Sequence, residues 1–119
     1  DMQIGTPTLD QLAVLVAIAD HGSLAAAGRA LGRATSVIAY QLDGLEAQLG
    51  LALFTRGSTR RPTLTDAGRL VLAHARETLG NVSALKAGVA ALSEGQEAEL
   101  SLSVTVMFPI ETLVAALTA

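Results

Sequence analysis

Apolar residues in the first fifty positions recur at helical intervals and are interrupted by glycine. Leu9, Leu12, Ala13, Val16 and Ala19 follow the three-and-four spacing of one helix face. Thr8 and Gln11 stand three apart ahead of that run, the arrangement of a capping box. Gly22, after His21, supplies the left-handed residue that ends a helix. Ser23 predicts the cap of a second helix from Leu24 to Leu31, whose alanines let another helix approach closely. Gly28 inside it costs about 1 kcal/mol of helix propensity against alanine, so it is expected where a neighbour crosses. Gly32 makes a turn, and a third helix is predicted from near Ala34 or Thr35 to about Leu49. Its buried stripe is Ile38, Leu42, Leu45 and Leu49, with Ser36, Tyr40, Asp43 and Ala47 on the opposite side.

The pattern then changes period. Residues 51–56 predict a short strand, 57–61 a turn, and 62–64 a returning edge strand in which Pro62 is tolerated. Thr65 and Asp66 open a fourth, long helix to about Leu92. Leu72, Ala75, Leu79, Val82, Leu85, Val89 and Leu92 form a slightly broken heptad seam along it. A seam of that length demands a partner, and a second copy of the chain is expected to provide it. Residues 93–99 suggest an acidic linker. The strict alternation from Leu100 to Val106 predicts a strand, and residues 111–119 a partial helix. These last elements look like the start of an α/β domain.

Bulk composition narrows the class. With 119 residues and half of them apolar, the chain can hold one small domain with accessories. It has no cysteine, which excludes a disulfide framework or thiolate metal site and fits a reducing compartment. Its longest apolar run, residues 12–19, is too short to cross a bilayer, and the first residues lack the pattern of a signal peptide. No membrane role and a cytoplasmic location are expected.

Net charge is −3, but its distribution is uneven. Residues 29–76 hold seven arginines against three acids, while the flanks on both sides are acidic. A basic centre between acidic ends suits a nucleic-acid partner more than the net charge does. Helix, turn, helix and arginine-bearing hairpin, in that order, suit a helix laid in a DNA groove with a wing on the flanking phosphates.

Several short motifs occur together in one order. They are Gly22-Ser23-Leu24, Ala27, Leu31, then Gln41-Leu42 with Leu45-Glu46 and Leu49-Gly50, Leu53-Phe54 with Arg56, and Leu64-Thr65 with Ala67-Gly68. In this combination the chain resembles the LysR-type transcriptional regulators. The resemblance implies a mainly α fold: a winged helix-turn-helix over residues 1–64, a linker and dimerisation helix over 65–93, and the truncated start of an effector-binding domain over 94–119. It further implies sequence-specific binding to double-stranded DNA as a homodimer on an inverted-repeat site, with tetramers and contact to RNA polymerase open to the full-length regulator. No cofactor is expected in this stretch, and a small-molecule effector only for the full-length protein.

The chain departs from that family where it should touch DNA. The family usually opens its recognition helix with serine, glutamine and proline; here stand Ala34, Thr35 and Ser36. Its later serine and arginine are Ala39 and Tyr40, and its basic positions before Leu45 are Asp43 and Gly44. No lysine or arginine lies between Arg33 and Arg56.

Candidate DNA contacts are weighed singly. Thr35, Ser36 and Val37 can offer hydroxyls and an apolar contact to a thymine methyl, although either hydroxyl could simply cap the helix. Tyr40 can bond a phosphate or stack near a sugar; its alternative is an ordinary exposed aromatic. Gln41 can read adenine through both amide atoms or merely flank the core. Arg56, Arg60 and Arg61 suit phosphates or a minor groove, and Arg33 is a further candidate in the turn. His21 and His74 have no ligand-type neighbours. Asp20, His21 and Ser23 are the residue types of a catalytic triad without its geometry, so no enzyme is expected. The competing reading is a winged-helix module for protein interaction or dimerisation, with weak or lost DNA binding.

Overall fold

The computed structural model of the chain describes the backbone of residues 5–55 and 61–102, and side chains as far as residue 95. Four helices and a two-stranded hairpin follow in the order α1 (Leu9–His21), α2 (Leu24–Leu31), α3 (Thr35–Leu49), β1 (Phe54–Thr55), β2 (Thr63–Leu64) and α4 (Asp66–Leu102). Two compact units result, one ending at Leu79 and the other beginning at Gly80.

Local chemistry sets the helix ends. The Thr8 hydroxyl accepts from the Gln11 backbone N–H at 3.0 Å, and the Thr8 N–H donates to Gln11 Oε1 at 2.9 Å, which completes the capping box. Ser23 Oγ accepts from the Ala26 N–H at 3.0 Å. Gly22, Gly32 and Gly50 close the first three helices with φ of 85°, 67° and 74°, a backbone region that costs glycine nothing. Thr65 joins two segments: its Oγ1 accepts from the Gly68 N–H at 2.9 Å and donates to the Ala52 carbonyl at 2.7 Å.

The core of the first unit lies between α1, α2 and α3. Val14, Leu15 and Ile18 from α1, Ala27 from α2, and Ile38, Leu42 and Leu45 from α3 are buried, and Leu53, Phe54 and Ala75 close it. The stripe on α3 matches its sequence pattern, with Leu49 packed partly against the core. That on α1 does not. Leu9 is exposed, Leu12, Ala13, Val16 and Ala19 are half-buried, and Gln11, Val14, Leu15, Ala17 and Ile18 form the inward face. From Leu12 to Ala19 the helix is apolar all round, so spacing could not select a face; packing against two neighbours did.

Two glycines let the chain pass close to itself. A Cβ at Gly28 would lie 2.6 Å from the Arg33 carbonyl, and one at Gly68 would lie 2.0 Å from that of Leu53. Gly28 is therefore the crossing point predicted for it, but what crosses is the turn after α2: the Arg33 N–H donates to the Gly28 carbonyl at 2.8 Å.

Two further expectations change. Of the strand predicted at 51–56, Leu51 to Leu53 are not strand, and Phe54 and Thr55 pair antiparallel with Leu64 and Thr63; residue 56 and residues 57–60 of the predicted turn lie outside the described residues. The Leu53 N–H instead donates to Glu46 Oε2 at 2.7 Å, so a side chain of α3 takes the place of a strand partner. The linker expected over 93–99 is helical, as are residues 100–102 of the predicted strand. Glutamate, glutamine and alanine are strong helix formers there, and with Gly95 as the lone breaker α4 runs on. Residues 103–106, and the partial helix at 111–119, lie outside the described residues, so the α/β start of the 94–119 segment is left with no described strand.

Candidate nucleic-acid interface

One side of α3 is spent on the core, and the other is open. Ile38, Leu42 and Leu45 fix the helix rotation, and at about 100° per residue this turns Ser36, Tyr40, Asp43 and Ala47 to solvent. Ala34 is the N-cap and provides no side-chain hydrogen bond. Thr35 and Ser36 therefore do not cap the helix: they occupy its first turn, exposed, beside Val37 at 41% exposure. Their hydroxyls and the first backbone N–H groups share that turn, the positive end of the helix dipole. Tyr40 stands 77% exposed, one turn further on. The two sequence alternatives for Thr35 and Ser36 thus resolve against capping.

The hairpin sits beside the same helix. A shallow cleft of about 140 Å³ between them is lined by Leu24, Ala39, Leu42, Asp43, Phe54, Thr55 and Pro62. Thr55 Oγ1 donates to the Thr63 carbonyl at 3.2 Å and reinforces the stem. Arg61 is exposed at its returning end. Arg56 and Arg60, two of the three arginines assigned to the wing, lie outside the described residues.

Two of the predicted contacts point elsewhere. Arg33 is not an open cation. Its two terminal nitrogens donate to both Asp10 carboxylate oxygens at 2.6 and 2.7 Å, across from the turn to α1. Gln41 Nε2 donates to the same carboxylate at 3.1 Å, which uses one of its two N–H donors and ties the amide to α1. The hydrogen-bonded Arg33 guanidinium holds the Asp10 carboxyl below its usual value against a smaller opposing effect of burial, and Asp10 raises Arg33 in turn. Sequence reasoning missed Asp10 because 23 residues separate it from Arg33, and neither motif nor helical spacing spans that gap.

A second pair of the same kind ties α4 to α1. Arg76 donates to Asp20 at 2.6 and 3.4 Å. Asp20 thus takes its hydrogen bonds from a guanidinium, and the Ser23 hydroxyl is spent on capping α2. Of the assigned dimerisation seam, Ala75 is fully buried in the chain's own core and Leu72 packs against that core. Both are corrections: the long helix must first cover its own domain. Leu79 and Val82 are half-buried, whereas Leu85, Val89 and Leu92 are 62%, 57% and 40% exposed. Among the described residues no group of three or more histidines, cysteines or acids could hold a metal, and no single helix is long and apolar enough to cross a membrane.

Comparison with known proteins accords with this geometry. The family described as "Bacterial regulatory helix-turn-helix protein, lysR family" matches residues 9–69, just over half of the chain. This chain belongs to the LysR family. Among relatives of this LysR-family chain, the transcriptional regulator PtxR of Pseudomonas aeruginosa is 47% identical over 74 residues, which are 62% of the chain and 23% of PtxR. The transcriptional activator AllS of Klebsiella pneumoniae is 35% identical over 95 residues, 80% of the chain and 35% of AllS. The chain thus spans about a quarter to a third of the length of these relatives. Among solved structures, an OxyR variant of Corynebacterium glutamicum superposes with a TM-score of 0.70 at 30% identity, over 76% of this chain and 28% of that one. The BenM DNA-binding domain in complex with catB site 1 DNA superposes at 0.69 and 27% identity, over 72% of this chain and 94% of that one.

Proposed function

We propose that this LysR-family chain is the DNA-binding portion of a transcription regulator, which holds duplex DNA through the outward face of α3 and the arginines of the hairpin. One observation carries the reading. Among the described residues the side chains of Thr35, Ser36 and Tyr40 are exposed and make no hydrogen bond, on a helix whose opposite face is locked into the core. Thr35, Ser36, Val37 and Tyr40 would face base edges and sugars, while Arg56, Arg60 and Arg61 would neutralise phosphates. Complexes of related DNA-binding domains with DNA, those of BenM and CbnR, support this use of the fold.

The regulator would bind as a homodimer to an inverted repeat, joined along α4, and would act in the cytoplasm. Any effector pocket, tetramer contact or RNA polymerase contact belongs to the rest of a full-length protein. The chain would have no catalytic role, because the residue types of a triad near α1 are engaged in fold contacts.

The absence of lysine and arginine from α3, with Asp43 on its open face, favours a second reading, a module for protein interaction whose DNA binding is weak. Salt separates the two. Fluorescence anisotropy with a labelled duplex should give an affinity that falls steeply with salt, by about 0.9 log units per log unit for each phosphate neutralised. Tyr40→Ala should weaken the preferred duplex more than a random one. A flat salt response in the parent would sink the DNA reading and leave the interaction module.

A further inference from the structure

The Asp10 carboxylate stands at the junction of three elements that the DNA reading needs. It begins α1, takes both donors of Arg33 from the turn before α3, and takes the Gln41 amide from the middle of α3. Arg33 and Asp10 keep 37% and 42% of their side-chain surface exposed, so this is a contact at the rim of the domain and not a buried ion pair. Exposed pairs of this kind are weak and screened by salt, and a phosphate offers a guanidinium the same forked geometry as a carboxylate. Arg33 is also the one base in the described chain between Arg29 and Arg61.

From this geometry we infer that Asp10 limits the DNA affinity of the domain by withholding Arg33 from phosphate, so that binding rests on the cation-free outward face of α3 and on the hairpin. The inference depends on the DNA reading above. Asp10 touches no DNA in this account; it is a positioning residue that acts through Arg33. While it holds the guanidinium, the turn presents a neutral pair to the duplex. The arrangement favours discrimination over tightness, because phosphate contacts raise affinity for every sequence alike. Gln41 is held by the same group, which leaves Thr35, Ser36, Val37 and Tyr40 to meet the bases.

A double-mutant cycle with salt as its readout tests this. Asp10→Asn removes the charge but keeps an oxygen for Gln41. With a labelled pool of random-sequence duplexes, Asp10→Asn should bind more tightly than the parent and steepen the salt slope by about one unit, equivalent to about a fourfold gain in relative affinity between 200 and 50 mM salt. Arg33→Gln in the parent should leave the slope unchanged, and Arg33→Gln added to Asp10→Asn should return the slope to the parental value. If the gain survives removal of Arg33, it is a general charge effect and the inference fails. Weaker binding by Asp10→Asn would show that the pair orients α3 and does not mask a cation. A lower slope for Arg33→Gln alone would show that Arg33 already reaches phosphate. Circular dichroism and thermal midpoints of all four proteins show whether each is folded, and Arg33→Gln on the parent provides an arm that does not depend on changing α1. A parent that binds no duplex overturns the DNA reading itself, whereas a binding parent with an unchanged Asp10→Asn overturns this inference alone.

Discussion

The segment from Leu9 to Leu79 and the half of α4 beyond Gly80 use similar residues and reach different ends. In the first, most leucines and isoleucines turn inward, with Leu9, Leu31, Leu51 and Leu70 left exposed: Leu15, Ile18, Ile38, Leu45 and Leu53 are among its fully buried side chains. In the second, Leu85 and Val89 stay more than half exposed on a helix with ample apolar surface. An apolar stripe at helical spacing therefore says that something will cover it. It does not say whether the cover is the same chain. What distinguishes the two regions is connection length. Turns of a few residues return α2 and α3 onto α1, whereas α4 runs through 37 residues without a turn.

The sharpest break of this comparison is truncation at matched positions. Leu45→Ala empties a fully enclosed site and should cost about 2–5 kcal/mol of stability. At concentrations low enough to keep the chain monomeric, Leu85→Ala on the exposed stripe should change the same unfolding transition by less than about 0.5 kcal/mol. Urea titration followed by circular dichroism measures both. Equal costs would mean that the distal stripe folds together with the core and that the contrast is false.

How much of this is legible beforehand follows the range of the forces involved. Caps and turns are legible, because Thr8 with Gln11, Ser23 with Ala26, and Gly32 act within three or four residues. The face of α3 is legible because Ser36, Tyr40 and Asp43 fall opposite the stripe of Ile38, Leu42 and Leu45. The face of α1 is not, since Leu12 through Ala19 offer no polar residue to mark the outside. Nor are the pairings of Asp10 with Arg33 and Asp20 with Arg76, which lie 23 and 56 residues apart and form only once three helices have met. The end of α4 is not legible either, because Ser93 to Glu99 combine one breaker with several strong helix formers. Of the candidate interface, the exposed turn of α3 is foreseeable. The diversion of Arg33 and Gln41 to α1 is not.

Close backbone approach sets a second difference between the regions. Gly68 packs with no room for a methyl group, whereas a Cβ at Gly80 meets nothing within 4 Å. Gly68→Ala should cost about 1–3 kcal/mol or more by forcing α4 away from the Leu53 carbonyl. Gly80→Ala should stabilise the helix slightly, by up to about 1 kcal/mol, because glycine loses more freedom on helix formation than alanine. Thermal melts of the two variants should move in opposite directions, and a parallel loss would refute the assignment of Gly80 to open helix.

The distal stripe can be tested by its own association. Leu85→Asp puts a charge where a partner helix is proposed, yet leaves the first unit untouched. Sedimentation at micromolar concentration should show a dimer for the parent and a monomer for the variant, with an unchanged unfolding midpoint for the helix-turn-helix core after correction for concentration. A monomeric parent would remove the proposed partner, and the stripe would then need another cover.

The smallest effect expected is a response to acid confined to the first unit. Asp10 and Asp20 each accept a guanidinium hydrogen bond, and that contact holds each carboxyl below its ordinary value of 3.8. A carboxyl whose folded value is lowered binds its proton less readily in the folded chain than in the unfolded one. Its contribution is therefore complete above about pH 4–5, declines as the unfolded chain begins to take up protons near 3.8, and is lost once pH falls through the lowered folded value. Both groups are largely solvated, so the change is small. Urea midpoints taken from pH 6 downward should hold steady and then fall below the ordinary carboxylate value, and Asp20→Asn should flatten part of that fall. Arg76→Gln should flatten most of what Asp20→Asn flattens, since the contact with Arg76 is the main cause of the shift and His21 a smaller one. If Asp20→Asn flattens the profile and Arg76→Gln does not, the Asp20 carboxylate is stabilised by something other than the bridge between α1 and α4.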